Sequence, residues 1–378
     1  MQIEQRIWTR ADGWTGDPTR AGIASPQLVL VFGATEALAE GAALKSLSAL
    51  YPGAHIFGCS TAGEIAGPQV SDDTIVATAV HLEHIHLRFA RVSLADHDSE
   101  KAGRQLACTL AGAELTHVFV LSDGLHVNGS ALVAGIESGL PEGVAVTGGL
   151  SADGWRFGRT LVCFEGEPVE GIVAAIGFYG SRLRVGYASV GGWDTFGPDR
   201  LITRSEGNVL YELDGKPALD LYRKYLGDHA GELPSSGLLF PLSLRTSYED
   251  AGVVRTLLAI DDSTGSMTFA GDMPQDSYTR LMRTNFDRLI DGASLAASAT
   301  YAAVGTHSPD LAILISCAGR KMVLKQRTAE EVESVRDILG MSAVLAGFYS
   351  YGEISPFTPS ARCELHNQTM TVTALTES

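Results

Sequence analysis

A short phrase, Ile56 to Ile65 (IFGCSTAGEI), returns near the other end of the chain at Ala346 to Ile354 (AGFYSYGEI). The pairs Gly58/Gly347, Gly63/Gly352 and Glu64/Glu353 stand at one constant separation, so the two copies are in register. Each copy has the same run-up. An apolar run (Leu28 to Phe32; Leu311 to Ile315) leads to a glycine-containing turn, an amphipathic segment, and a short apolar run into the Gly-Glu-Ile turn. Buried strand, helix and second strand account for that periodicity. One unit is therefore used twice, and the expected fold is α/β: two related lobes, each a mixed β-sheet flanked by helices. A shorter echo runs from His117 to Leu121 through Ser122-Asp123-Gly124. Its helix is capped by Asn128 and turns Leu132, Val133 and Ile136 inward, and its second strand is Val144 to Thr147.

A chain of 378 residues exceeds what one core usually holds. Gly197-Pro198 and the polar stretch after it mark the boundary, giving an N-terminal domain 1–205, with its core from about residue 28, and a C-terminal domain 206–378. The net charge of −16 opposes nucleic acid and anionic membrane surfaces. The opening MQIEQRIWTR lacks the layout of a signal peptide, and no apolar run approaches the roughly 20 residues that span a bilayer. A cytoplasmic protein is expected. Five scattered cysteines imply neither a disulfide framework nor a structural zinc site.

Two helices stand out in the second half. One, from Ser277, carries Tyr278, Leu281, Met282, Phe286, Leu289 and Ile290; the other opens on a capping box, Thr328 with Glu331, and stops at Gly340.

A glycine before a glutamate at the carboxyl end of a strand leaves a carboxylate at the sheet rim, where α/β folds bind ligands. Glu64 and Glu353 are candidates for that role, or for fixing the turn. Ser60, beside Cys59, faintly resembles a nucleophile elbow, but the elbow needs a helix next and Gly67-Pro68 followed by a strand stands there instead. Cys317, in SCAGRK, is either a thiolate activated by Arg320 or Lys321 or a small buried residue. Arg320 is suited to a ligand carboxylate, or to an internal pair with Glu353. His84 and His86 share a strand face without further ligands and read as solvated. His126 and His366 could ligate haem iron or bond a polar ligand. Asp123, Tyr351 and Asn367, beside these groups, complete the set of candidate ligand contacts. With no P-loop, dinucleotide fingerprint, His-Glu-x-x-His or kinase signature, a binding role is favoured over catalysis. The alternative is an enzyme using Cys317 or the paired glutamates.

Taken together in order, LVLVFGATE, FGCSTAGEI, SDGLHVNGS, VTGGLSADGWRFG and GGWDTFGP, then TRSEGNVLYELDG, SCAGRK, LAGFYSYGEI and LHNQTM, resemble the FIST family over nearly the whole chain. The resemblance implies an intracellular ligand-sensing module of bacterial signal transduction. It further implies a separate effector such as a histidine kinase, chemoreceptor or cyclic-di-GMP enzyme. It also implies either haem-dependent nitric oxide sensing, with His126 or His366 on the iron, or a small polar ligand such as an amino acid.

Overall fold

Three parallel strand pairs set the architecture: Leu28–Gly33 with His55–Ser60, Leu115–Ser122 with Ala145–Leu150, and Leu311–Cys317 with Val344–Ser350. In each pair a glycine of the second strand sits opposite a carbonyl-bearing residue of the first: Gly58 on Val31, Gly148 on Val120, Gly347 on Leu314. A Cβ on any of the three would stand 1.7, 1.8 or 1.9 Å from that residue's carbonyl oxygen, so only glycine permits the approach. The repeated unit is thus present three times in this computed structural model, which describes all residues except 18–19, 96–97, 248–251, 306–307 and 358–360. The mixed sheets flanked by helices are as the sequence indicates, and the central echo is a full copy.

Each unit adds an outer strand and a closing strand, antiparallel to one another: Gln2–Thr9 with Ile75–His81, His86–Ser93 with Ile172–Tyr179, and Leu183–Val190 with Met370–Glu377. Between second and closing strands every unit sends out a hairpin, and it joins another unit's sheet. The first unit's Glu64–Ala66 pairs with Val344–Ser350 of the third. The third unit's Gly352–Pro356 pairs with Ala145–Leu150 of the second. The second unit's Val162–Phe164 pairs with His55–Ser60 of the first. Three backbone bonds repeat the relation: Ala62 N–H to Tyr349 O, Ala152 N–H to Ser60 O and Tyr351 N–H to Leu150 O. The exchange closes on itself, so each sheet is completed by chain from elsewhere.

The inner sheet faces meet in one core. Leu30, Phe32 and Phe57 of the first unit join Phe119 and Ile176 of the second and Ile313 and Phe348 of the third, with the Phe32 and Phe348 rings 4.7 Å apart. Helices cover the outer faces: Leu44 and Leu47 on the first sheet, Leu106 and Leu132 on the second, Ala293, Val332 and Leu339 on the third.

An antiparallel β-domain is inserted in the third unit, entering by Asp194–Glu206 and leaving by Tyr278–Arg283, which pair with each other. It has its own core around Leu210, Tyr222 and Phe269. Residue 205 thus lies inside a strand. Tyr278–Arg283 corrects the expected helix from Ser277. The apolar residues there repeat every three to four positions, but strand pairing with residues 194–201 and 242–245 decides the conformation. The helix begins at Phe286, capped by the Asn285 side chain. The Thr328–Glu331 capping box does not form either: the Thr328 hydroxyl donates to the Lys325 carbonyl, and Glu331 is buried. No helix among the described residues is long and apolar enough to cross a membrane.

Candidate functional site

A cleft of about 450 Å³ opens where the second unit, the third unit and the inserted domain meet. Its walls are the carboxyl end of Leu115–Ser122 with the turn after it, the loop after Ala145–Leu150, the start of the helix after Leu311–Cys317, and residues 256–271 of the insertion. Such a volume is typical of small-molecule sites, and strand carboxyl ends at a change of chain direction are where α/β folds bind ligands.

The second unit has Gly154 where the other copies have their turn glutamate. Asp153 instead accepts the N–H groups of Phe157, Gly158 and Arg159 at 3.0, 2.8 and 2.8 Å, and the Tyr351 hydroxyl. These bonds hold its carboxyl below the usual carboxylate range against the opposing effect of burial. They also hold Phe157 at φ 48°, a left-handed conformation that costs a bulky residue about 1–2 kcal/mol. The reward is a fixed ring: Phe157 stacks on Tyr351 at 4.7 Å and 11°, while 52% of Phe157 and 43% of Trp155 stay exposed at the cleft mouth. Tyr351 occupies the position held by Ala62 and Ala152 in the other copies, as the shared backbone bond shows.

Three of the sequence-derived candidates line this cleft: His126, Cys317 and Tyr351. The His126 ring lies 3.2 Å by Nδ1 from Asp123 Oδ1. Asp123 itself is fully buried and accepts from Leu125, His126 and Gly171 N–H. The Cys317 thiol is pushed far up by burial and by the neighbouring Glu353 carboxyl, so it is a neutral, apolar contact.

The others are interior. Ser60 accepts Leu161 N–H by its hydroxyl, and Cys59 lies beside Cys163 in the strand layer. Glu64 and Glu353 are sealed at the bases of the exchanged hairpins. Arg320 does not pair with Glu353 as expected; its ion pair is with Glu331, at 2.8 Å, both fully buried. Its remaining donors serve the Gly191 and Leu289 carbonyls. Glu331 sits one helix further on and also accepts from Ser316 and Tyr349, a convergence that spacing in sequence does not reveal. His366 is fully buried, with Nε2 2.7 Å from the Ser355 carbonyl, and burial lowers it to about 4. Its neighbour Asn367 is buried with neither amide atom partnered among the described residues, and the Gln368 amide reaches the carbonyl of Leu238, a cleft residue. Among the described residues no cluster of His, Cys, Asp and Glu is arranged to hold a metal ion.

Residues missed from sequence are Trp155, Phe157, Thr256 and Leu258, all lining the cleft. The run Asp153-Gly154-Trp155-Arg156-Phe157-Gly158, two aromatics between turn residues, was the available signal.

Exchanged α/β repeats with an inserted β-domain beside a cleft of small-molecule size define a composite α/β scaffold. Residues 27–216 match the FIST N domain and residues 218–356 the FIST C domain. The chain belongs to the FIST family, whose domains are sensory domains of signal transduction. Similar proteins include an uncharacterized protein found in two strains of Mycobacterium tuberculosis, 26% identical over 331 residues, 83% of this chain and 82% of the relative. Another is an uncharacterized protein of Methanocaldococcus jannaschii, 25% identical over 161 residues, 39% of this chain and 31% of that protein.

Proposed function

We propose that the chain senses a small molecule bound in the cleft between the repeats and the inserted domain, and reports it to a separate effector such as a histidine kinase, chemoreceptor or cyclic-di-GMP enzyme. The observation that carries this reading is the cleft's composite wall, with residues 124–129, 256–271 and 317–319 on three different bodies of chain. Polar links between the insertion and the repeats include Arg255 to Leu365 O, Asn128 to Asp272, Ser130 to Arg255 and Asp272, Arg288 to Asp194, and Gln368 to Leu238 O. A ligand that touches both sides favours one domain angle over another, and only such differential binding can carry a signal.

Haem was the other candidate ligand. His126, oriented by a carboxylate, is a suitable donor. The cleft, however, offers among its described lining residues no arginine or lysine for the propionates, and His366 is sealed away. The residues present do not fit a haem. A polar metabolite held by Arg320, Glu64 and Glu353 would need three groups that are buried and already bonded.

Hydrogen exchange on the full chain with pooled metabolites tests the proposal. Joint protection of 124–129 and 256–271 is expected; protection confined to a region away from the cleft would overturn it.

A further inference from the structure

The cleft's chemistry narrows what it takes. Three of the eight exposed large hydrophobic residues among those described, Trp155, Phe157 and Leu258, line this single cleft. Exposed apolar side chains gathered at one concave place mark a binding surface rather than ordinary scatter. The aromatic pair gives the surface a shape. Phe157 is stacked nearly parallel on Tyr351, whose hydroxyl is tied to Asp153 and, at 3.1 Å, to the Gly154 carbonyl, so the rings form a fixed flat shelf with half of Phe157 still open.

His126, Asn128, Asn208, Thr256 and Ser350 supply the polar side. Among the described lining residues none is an aspartate, glutamate, lysine or arginine. Nearby charges are spent elsewhere: Asp153 on three backbone N–H groups, Arg255 on the Leu365 and Asp272 carbonyls. A cation moved into this cleft loses its water without meeting a lining carboxylate, and an anion meets only the His126 ring. Thr256 lines the cleft and is only 4% exposed; its hydroxyl oxygen is sealed from solvent and has no hydrogen-bond partner among the described residues. Turning the Thr256 side chain toward a ligand group recovers the free energy that an unpaired buried hydroxyl costs.

We infer that the cleft binds an uncharged, planar aromatic or heteroaromatic molecule, lying on the Phe157–Tyr351 shelf with one hydrogen-bonding group on the Thr256 hydroxyl. This rests on the sensing reading of the same cleft and adds the ligand class. Edge or offset stacking on the open part of Phe157 supplies orientation, and the single hydroxyl distinguishes the ligand from a plain hydrocarbon.

The test titrates the full chain with five probes of similar size: naphthol, naphthalene, naphthoate, naphthylmethylamine at neutral pH, and the non-planar decalinol. Binding is read by tryptophan fluorescence and saturation-transfer NMR, on the natural chain and on Phe157→Leu and Thr256→Val. Phe157→Leu keeps an apolar side chain without the ring, Thr256→Val keeps the shape without the hydroxyl, and the thermal unfolding of each is checked alongside. Naphthol should bind best, with Phe157→Leu weakening it about five- to tenfold and Thr256→Val abolishing its advantage over unsubstituted naphthalene. If naphthoate, the amine or decalinol binds as well as naphthol, or if Phe157→Leu leaves affinity unchanged, the ligand class is wrong and the sensing reading stands. If no probe binds and the metabolite pools give no joint protection of 124–129 and 256–271, both fall.

Discussion

Glu64 and Glu353 are held by the same three bonds. Each carboxylate accepts a hydroxyl three residues earlier, Thr61 at 2.5 Å and Ser350 at 2.6 Å. Each then takes both the N–H and the hydroxyl of a threonine at the head of the closing strand, Thr74 at 3.1 and 2.8 Å and Thr369 at 3.1 and 3.0 Å. The glutamate therefore clamps the base of an exchanged hairpin to the strand by which the chain returns home. The choice left open by the sequence, rim ligand or turn lock, falls to the lock.

Burial raises both carboxyls, Glu64 to about 7 and Glu353 to about 8, against the bonds that lower them. A carboxyl whose folded value lies above its unfolded 4.5 holds its proton in the native state over that interval. Its contribution is complete below about pH 4.5 and is lost as pH rises towards 8. Glu353→Gln, which mimics the protonated form, should reduce the fall in stability between pH 5 and 8 relative to the natural chain in urea unfolding. Glu353→Ala leaves the Thr369 N–H buried and unpaired and should cost about 1–3 kcal/mol or more at any pH. A Gln variant with an unchanged pH slope would refute the protonation argument.

The three glycines opposite Val31, Val120 and Leu314 make the strongest case for equivalence of the units. Alanine at Gly58, Gly148 or Gly347 places a Cβ under 2 Å from a backbone oxygen that cannot move without breaking its own ladder. Each substitution should cost roughly 3 kcal/mol or more, at the severe end of point mutations. Gly231→Ala, where a Cβ meets nothing within 4 Å, is the control and should change stability by less than about 0.5 kcal/mol. Chemical denaturation of the four variants decides the matter, and a tolerated Gly148→Ala would separate the second unit from the other two.

Much of this was written in the chain. The glycine and glutamate register reported the duplication, because only a turn tied to a close strand crossing needs those residues at that spacing. The copy in the second unit was fainter because it keeps Gly148 and gives up the glutamate. Periodicity says that a segment is a strand and which face is buried, but not which strand it lies beside, so the exchange of hairpins was invisible. The same blindness hid the partner of Arg320. The cleft was half legible: His126, Cys317 and Tyr351 come from singled-out motifs, whereas Thr256 and Leu258 arrive from an insertion that no local pattern aims at the repeats.

Arg320 and Glu331 illustrate a buried pair whose removal is costly whatever its net worth. Arg320→Met leaves Glu331 with the Ser316 and Tyr349 hydroxyls alone in a fully buried site. A loss of about 3–5 kcal/mol is expected, and Arg320→Met with Glu331→Leu should recover part of it. Ligand binding by the double variant, if it folds, should match the natural chain. A stable single variant that has lost binding alone would return Arg320 to the ligand site.

Alkylation gives a direct view of Cys317. Of the five cysteines, Cys108 is exposed and the other four are buried as free thiols. Burial lifts the Cys163 thiol to about 12 and drives Cys59, Cys317 and Cys363 well above their ordinary value, so at pH 8 none of the four holds appreciable thiolate, the reactive form. Iodoacetamide should label the native protein at Cys108 and spare Cys317 even though Cys317 borders the cleft, as mass spectrometry of digests will show. Rapid labelling of Cys317 would mean a thiolate stabilised from a direction the fold does not provide, and would revive the enzyme reading. Slow labelling that stops when naphthol is added would instead tie the thiol to the occupied cleft, since Cys317, Ala318 and Gly319 form its wall.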